Sequence, residues 1–264
     1  MKVAVLQLTS VLDYRQNLSV IREYLQEAKT QKAVAAFLPE CFYSMSDGLK
    51  PTPHLVSRGN EHENNILSLA CDNNICLFGG SVAFRGDDSK IYNRAYNIDS
   101  SGNIISTYDK INLFSCNLYK NGKQTREIRE DLIYSPGNQV SSFDYSGVTI
   151  GNTICFDIRF PGLFNDLISK GVDIITIPSA FTRKTGALHW HTLNKARAIE
   201  TQSFVISAAQ VGDNGNQVTT FGHSLVVDPW GEVILDLGGK KSSVGIANLN
   251  FDKIVSVRNS IKVR

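Results

Sequence analysis

Cys155 ends a strand-like run, Val148 to Ile154, and opens Phe156-Asp157-Ile158-Arg159-Phe160-Pro161 on the way into a helix. A thiol at such an elbow is placed for nucleophilic attack. N–H groups at a helix start have no intrahelical acceptor, so they can face a developing oxyanion and favour thiolate over thiol. Cysteine is also among the most buried residue types, and by itself Cys155 reads first as a structural core residue. Two further segments change that reading. Phe37-Leu38-Pro39-Glu40 puts a carboxylate just past an apolar strand, Val34 to Leu38, and Ser106-Thr107-Tyr108-Asp109-Lys110 puts an ammonium at the end of another, Ile104 to Tyr108. Alone, Glu40 and Lys110 could each be solvated loop charges. An acid, a cation and a thiol at three strand ends form a set, and strand ends are where catalytic groups collect in open α/β layers.

At these residues the chain resembles the nitrilase, or carbon-nitrogen hydrolase, superfamily, whose signature is a Glu, a Lys and a Cys in that chain order. The resemblance runs through nearly the whole chain: Leu38-Pro39-Glu40, Tyr108-Asp109-Lys110, Ser135-Pro136-Gly137, Cys155 to Pro161, Pro178-Ser179-Ala180-Phe181, His189-Trp190, Arg197 to Glu200, and Gly222-His223-Ser224 before Asp228-Pro229-Trp230-Gly231. The Cys-aromatic-Asp-x-Arg-Phe-Pro run is similar to the amidase branch, where true nitrilases carry Cys-Trp-Glu-Asn. The resemblance implies a four-layer αββα sandwich of the α/β class and hydrolysis of a small linear carboxamide, such as deaminated glutathione or an omega-amide of a dicarboxylic acid. It also implies a second glutamate six residues before the Pro-Gly, which lands on Glu130 with Glu127 as a rival, and a homodimer formed through outer helices. Two departures bear on substrate choice. Lys110-Ile111-Asn112-Leu113-Phe114-Ser115 stands where relatives read Lys-x-His-Leu-Phe-Asp, and the stretch from there up to Pro136 is rich in Lys and Arg, its Asn112 to Arg129 segment being the unusual part. A nitrile or N-carbamoyl hydrolase, or an inactive scaffold of the same fold, stays open as an alternative.

An amide demands this set. Its carbonyl is a poor electrophile and its nitrogen a poor leaving group, so a nucleophile, a proton shuttle and an oxyanion stabiliser must converge on one carbon. Cys155 would attack, Glu40 would act as general base and then acid, and Lys110 with the Phe156 N–H would hold the oxyanion, while Glu130 orients Lys110 and water. Around them, Phe156, Phe181, His189 and Trp190 are expected at the substrate, and Arg183 with Lys184 is placed to grip a substrate carboxylate. Asp157 and Arg159 read as an ion pair bracing the elbow, and Arg197 with Glu200, one helical turn apart, as another. His223 reads as a satisfied core histidine, so no Ser-His-Asp triad is expected.

The elements that must position these groups follow from hydrophobic period and turn chemistry. Lys2 to Leu8 predicts a buried strand, Asn17 to Lys29 a helix with Leu18, Ile21 and Leu25 on one face, and Val34 to Leu38 a second strand. A helix near Glu63 to Asn73 leads to Ile75 to Phe84. Asp99 to Gly102 and Asp228 to Gly231 carry turn residues between apolar runs and predict antiparallel hairpins. Beyond Cys155 come a helix from about Pro161 to Lys170, a strand at Asp173 to Ile177 and a helix at Leu188 to Thr201, with His189 and Trp190 at its opening. Alternating strand-helix units and hairpins point to two facing sheets with helices outside.

Bulk properties bound the rest. A chain of 264 residues can form one large core, no Pro/Gly/Ser-rich linker interrupts it, and a single domain over 1–264 is expected. Lys plus Arg exceeds Asp plus Glu by 27 minus 25, so no nucleic-acid partner is implied, and the basic run Lys120 to Arg129 reads as a solvated loop. The odd count of 5 cysteines without a secretory signal points to free thiols and a cytoplasmic protein. Cys71 and Cys76 lack a second pair at zinc-finger spacing and His-Glu-x-x-His is absent, so no metal is expected. Gly79-Gly80 lacks the dinucleotide fingerprint, leaving no cofactor expected, and no apolar run approaches membrane-span length.

Overall fold

The strand Lys2–Gln7 (β1) shows how the layers arise. Successive side chains of a strand point to opposite faces. Val3 and Val5 accordingly join one apolar cluster and Ala4 and Leu6 another, all fully buried. The computed structural model describes residues 1–120, 123–215 and 219–263, and the side chains of all of these but 118–120 and 123–126.

From β1 the chain runs through α1 (Tyr14–Thr30), β2 (Ala35–Phe37), α2 (Glu61–Asn73), β3 (Cys76–Phe78), β4 (Ser81–Arg85), β5 (Ile91–Ile98) and β6 (Ile104–Asp109). In α1, Leu18, Ile21, Leu25 and Ala28 recur at helical spacing on the buried face, and Asp13 caps the start by accepting from the Arg15 N–H at 2.9 Å. Asn60 and Asn74 bound α2, the latter in the left-handed conformation that asparagine tolerates at a helix end. A hairpin of β7 (Ser115–Lys120) and β8 (Lys123–Arg129) follows, where a solvated loop was expected; Asn121 and Gly122 of that run lie outside the described residues. Next come β9 (Ser142–Tyr145), β10 (Val148–Asn152), α3 (Pro161–Ser169), β11 (Ile174–Thr176), α4 (Arg183–Thr201) and β12 (Phe204–Ser207). The chain closes through β13 (Val211–Asp213), β14 (Thr219–Phe221), β15 (Leu225–Val227), β16 (Val233–Asp236), β17 (Ser243–Asn248) and α5 (Asp252–Ser260).

The two main sheets repeat one plan. The first orders β17-β1-β2-β3-β5-β4, with β6 also on β5, and the second β16-β15-β12-β11-β10-β9. In each, three parallel strands joined by helices are flanked by antiparallel ones. The expected hairpins are present as β5–β6 and β15–β16. Three apolar layers result. Leu18, Ile21, Leu69 and Ile98 lie between α1, α2 and the first sheet; Val5, Phe37, Phe78, Ile150 and Phe204 between the sheets; Leu167, Ile175, Trp190 and Val205 between the second sheet and α3, α4. This is the αββα sandwich. Amides bridge its middle: the Asn97 Nδ2 donates to the Asn152 Oδ1 at 2.9 Å, and Gln210 Nε2 donates to the Glu40 carbonyl at 2.9 Å.

Helix α4 begins at Arg183, capped by Thr182, five residues before the expected start at Leu188. His189 and Trp190 therefore lie inside its second turn and do not open it. Apolar period is weak over Arg183 to Ala187, which is why the start was hidden.

Candidate active site

Three strand ends deliver the charged groups. Glu40 follows β2, Lys110 follows β6 and Cys155 follows β10; their residues are 3 %, 1 % and 8 % exposed. Lys110 Nζ lies 2.9 Å from Glu40 Oε1 and 2.8 Å from Glu130 Oε2. Buried charges persist only when paired and hydrogen-bonded, and each carboxylate has further donors. Asn93 Nδ2 and the Ala180 N–H each donate to Glu40 at 2.9 Å, and the Phe114 N–H donates to Glu130 at 2.7 Å. Glu127 instead sits exposed beside Arg129, 3.5 Å away.

Burial pushes Lys110 down, but the Glu130 and Glu40 carboxylates outweigh it and hold the ammonium well above the usual lysine range. Burial pushes the Glu130 carboxyl up, against the pull of Lys110. The Cys155 thiol is likewise raised well above its ordinary value, first by burial and then by the Glu40 carboxylate, with Lys110 opposing. A neutral thiol beside an acceptor carboxylate is the resting arrangement.

Local backbone presents that thiol. Cys155 has φ +48, a left-handed conformation that a residue with a Cβ adopts only when its surroundings enforce it. Its N–H donates to the Pro178 carbonyl at 2.9 Å, and a 3-10 turn, Cys155–Arg159, follows. Asp157, fully buried, ties this turn to the lysine strand: Tyr108 Oη donates to it at 2.7 Å, the Ile154 N–H at 2.9 Å, and Asn112 through its backbone N–H at 2.9 Å and Nδ2 at 2.8 Å. Asn112, the departure noted in the sequence, thus braces Asp157. Gly137 explains the Ser-Pro-Gly segment. Its N–H donates to the Lys110 carbonyl at 2.9 Å, and a Cβ there would come 2.1 Å from the Asp109 carbonyl oxygen. Any larger residue would displace the strand end carrying Lys110.

Glu40, Glu130 and Cys155 line one cavity of about 120 Å³, with Phe156, Phe181 and Arg159 on its wall. The ion pair expected between Asp157 and Arg159 does not form, because the hydrogen-bonding capacity of Asp157 is used by Tyr108, Ile154 and Asn112. Arg159 instead extends over the Phe181 and Phe156 rings, 5.5 and 5.9 Å from their centroids, with Nη2 3.1 Å from His189 Nδ1. Among the described residues it has no carboxylate at ion-pair distance.

The remaining expected residues divide. Phe156 and Phe181 line the cavity; Arg183 is exposed at the start of α4 and does not, nor does Lys184. Trp190 is fully buried behind Phe181, with ring centroids 4.8 Å apart, and its Nε1 donates to the His223 carbonyl at 2.8 Å. His189 is exposed and reaches the cavity only through Arg159. Arg197 does pair with Glu200 and also donates to the Ile158 carbonyl, fastening α4 to the elbow turn. His223 is half-buried against Asp236 and not a core residue. Sequence reasoning missed Asn93, Cys41 and Tyr134, the last two on the cavity wall.

The family model for carbon-nitrogen hydrolases matches residues 2–259. The deaminated glutathione amidase of Dictyostelium discoideum is 34% identical over 97% of this chain and 90% of its own length. The omega-amidase NIT2 of Homo sapiens is 32% identical over 98% of this chain and 91% of its own. The crystal structure of Saccharomyces cerevisiae Nit3, a member of branch 10 of the nitrilase superfamily, superposes with a TM-score of 0.88 at 28% identity, covering 100% of this chain and 94% of that one.

Proposed function

This chain belongs to the carbon-nitrogen hydrolase family, and from that premise we propose that it hydrolyses a small linear carboxamide bearing a distal carboxylate, through a thioester on Cys155. It is an amidohydrolase, as its relatives named deaminated glutathione amidase and omega-amidase are. One observation carries the substrate reading: Arg159 stands at the cavity that holds Cys155 and, among the described residues, has no carboxylate partner. A half-buried guanidinium in that position suits an anion from the substrate, as the amides named for those relatives would supply.

In the mechanism, Cys155 Sγ attacks the amide carbon while Glu40 takes the thiol proton. Since the resting thiol is neutral, transfer accompanies attack. An ammonium has three N–H groups. Lys110 Nζ donates to Glu40 Oε1 and to both oxygens of Glu130, and as the oxyanion forms, one of the N–H groups directed at Glu130 turns to it beside the Phe156 N–H. Phe156 sits where a helical turn begins and its N–H has no intrahelical acceptor. The C–N bond then breaks as Glu40 returns the proton to nitrogen, and ammonia leaves. Water attacks the thioester with Glu40 again as base, the C–S bond breaks, and the proton goes back to sulfur. Each oxyanion donor in such a site contributes about 3 kcal/mol. In this reading residues 1–264 act as one domain, since β17 near the end of the chain pairs with β1 at its start. The same reading takes the protein as a cytoplasmic homodimer, on the family resemblance alone. Among the described residues no helix is long and apolar enough to cross a membrane.

Steady-state ammonia release from paired amides, with and without a distal carboxylate, tests this reading. Arg159→Met keeps the apolar stem and removes the charge, and should raise KM for the carboxylate-bearing amide about 10- to 100-fold, the worth of a charge-assisted hydrogen bond. KM for the neutral amide should stay put. Arg183→Ala should leave both substrates near wild type. Equal loss on both amides in Arg159→Met would contradict the carboxylate assignment.

A further inference from the structure

On the far side of α4 from Arg159, three side chains from separate elements converge. His191 comes from α4, His223 from the turn between β14 and β15, and Asp236 from the end of β16. One ligand atom from each lies within 4.8 Å of the other two. His191 Nε2 is 2.9 Å from Asp236 Oδ2, and His223 Nδ1 is 2.9 Å from Asp236 Oδ1.

The supports are specific. Asp236 Oδ1 accepts from the Gly238 N–H at 2.8 Å, which orients the carboxylate. The His223 ring stacks on Phe221 with centroids 4.4 Å apart, and the His191 ring meets His223 edge-on at 5.0 Å. The Trp190 Nε1 bond to the His223 carbonyl locks the helix turn carrying His191 to the segment carrying His223. His223 itself has φ +55, so its backbone is held in a conformation that turns the ring onto this spot. The three side chains are 37 %, 26 % and 30 % exposed, so an ion has a path in.

We propose that His191, His223 and Asp236 form a binding site for a divalent transition ion of the zinc class, unrelated to the amide chemistry. Two imidazoles and one carboxylate suit zinc, nickel or copper, whereas magnesium and calcium call for oxygen ligands. Zinc bonds imidazole nitrogen and carboxylate oxygen at about 2.0 to 2.2 Å, which sets ligand atoms roughly 3.3 Å apart around a tetrahedron. Small side-chain shifts reach that spacing, and water completes the fourth position. The ion would clamp α4, whose first turn borders the substrate cavity, to the edge of the second sheet. Local spacing could not reveal the site, because its ligands stand at positions 191, 223 and 236.

The test is calorimetric titration of zinc into the full chain carrying Cys155→Ala, which removes the reactive thiol as a competing ligand. One zinc per chain should bind with a dissociation constant on the order of 1 µM or below. Adding His191→Ala, a change on a solvent-facing helix turn where alanine is well tolerated, should weaken binding at least tenfold. His223→Asn, which accepts the left-handed backbone, and Asp236→Asn should do the same. Cobalt in place of zinc should give visible bands without thiolate charge transfer. Less than half an equivalent of zinc, binding that persists within tenfold in His191→Ala, or a thiolate band with cobalt would overturn the assignment.

Discussion

Cys155→Ala is expected to lower kcat for the amide substrate by about 10⁶-fold, the scale seen when a nucleophile that works as a unit with its base is lost. The fold should survive. Only one buried sulfur is removed, from beside a carboxylate, and alanine keeps the Cβ in the same left-handed backbone, so the melting temperature should stay within a few degrees of wild type. Cys155→Ser separates chemistry from packing. It nearly restores the volume, yet a hydroxyl ionises far less readily than a thiol, so Glu40 gains little by it and turnover should remain close to that of the alanine variant. More than a tenth of the wild-type rate in Cys155→Ala would remove this residue from the chemistry.

The second large effect lies at Lys110, where catalysis and stability meet. Lys110→Met leaves Glu40 and Glu130 buried with only neutral donors from Asn93, Ala180 and Phe114. Breaking such a buried pair costs about 3 to 5 kcal/mol, or a melting-temperature loss of roughly 10 °C in a chain of this size. Its pH dependence has a definite sign. In wild type the raised lysine pKa means that the stabilisation is fully present below about pH 10 and is lost only as pH rises through the folded-state value. In Lys110→Met the Glu130 carboxyl, already pushed up by burial, loses the ammonium that opposes that rise. The penalty then sets in as pH rises above the ordinary glutamate value of about 4.3 and grows toward neutrality. Thermal melts at pH 7 and pH 5 should show the gap to wild type narrowing at the lower pH, with kcat at pH 7 down by about 10² to 10³ for the lost oxyanion donor. A gap of the same size at both values would mean that Lys110 does not carry the charge of this cluster.

Much of this was legible in the chain because the signals are local. Glu40, Lys110 and Cys155 each follow an apolar run that is a strand, and turn residues at Asp99 and Asp228 mark hairpins that form. What escaped depends on contacts distant in sequence. Asp157 and Arg159 look like a pair from spacing alone, but the partners of Asp157 come from Tyr108 and Asn112, 49 and 45 residues away, and that frees Arg159 for the cavity. Asn93 sits in mid-strand between Tyr92 and Arg94, and nothing in its neighbours announces that it grips Glu40. The β7–β8 hairpin was hidden for a different reason, since its basic residues show no alternation of apolar and polar faces on which a strand reading rests. Arg183 misled by position: two residues beyond Phe181, it lies on the helix that α4 has already begun.

A thioester on Cys155 is the centre of the account, and partitioning between water and hydroxylamine probes it most directly. Wild-type enzyme would be given the same acyl group as its amide and as its methyl ester, with hydroxylamine present, and hydroxamate and free acid measured together. A common acyl-enzyme forgets its leaving group, so the ratio of hydroxamate to acid should rise with hydroxylamine and be the same from both substrates. No hydroxamate, or a ratio that differs between amide and ester, would show that water attacks the substrate directly and that Cys155 is no nucleophile.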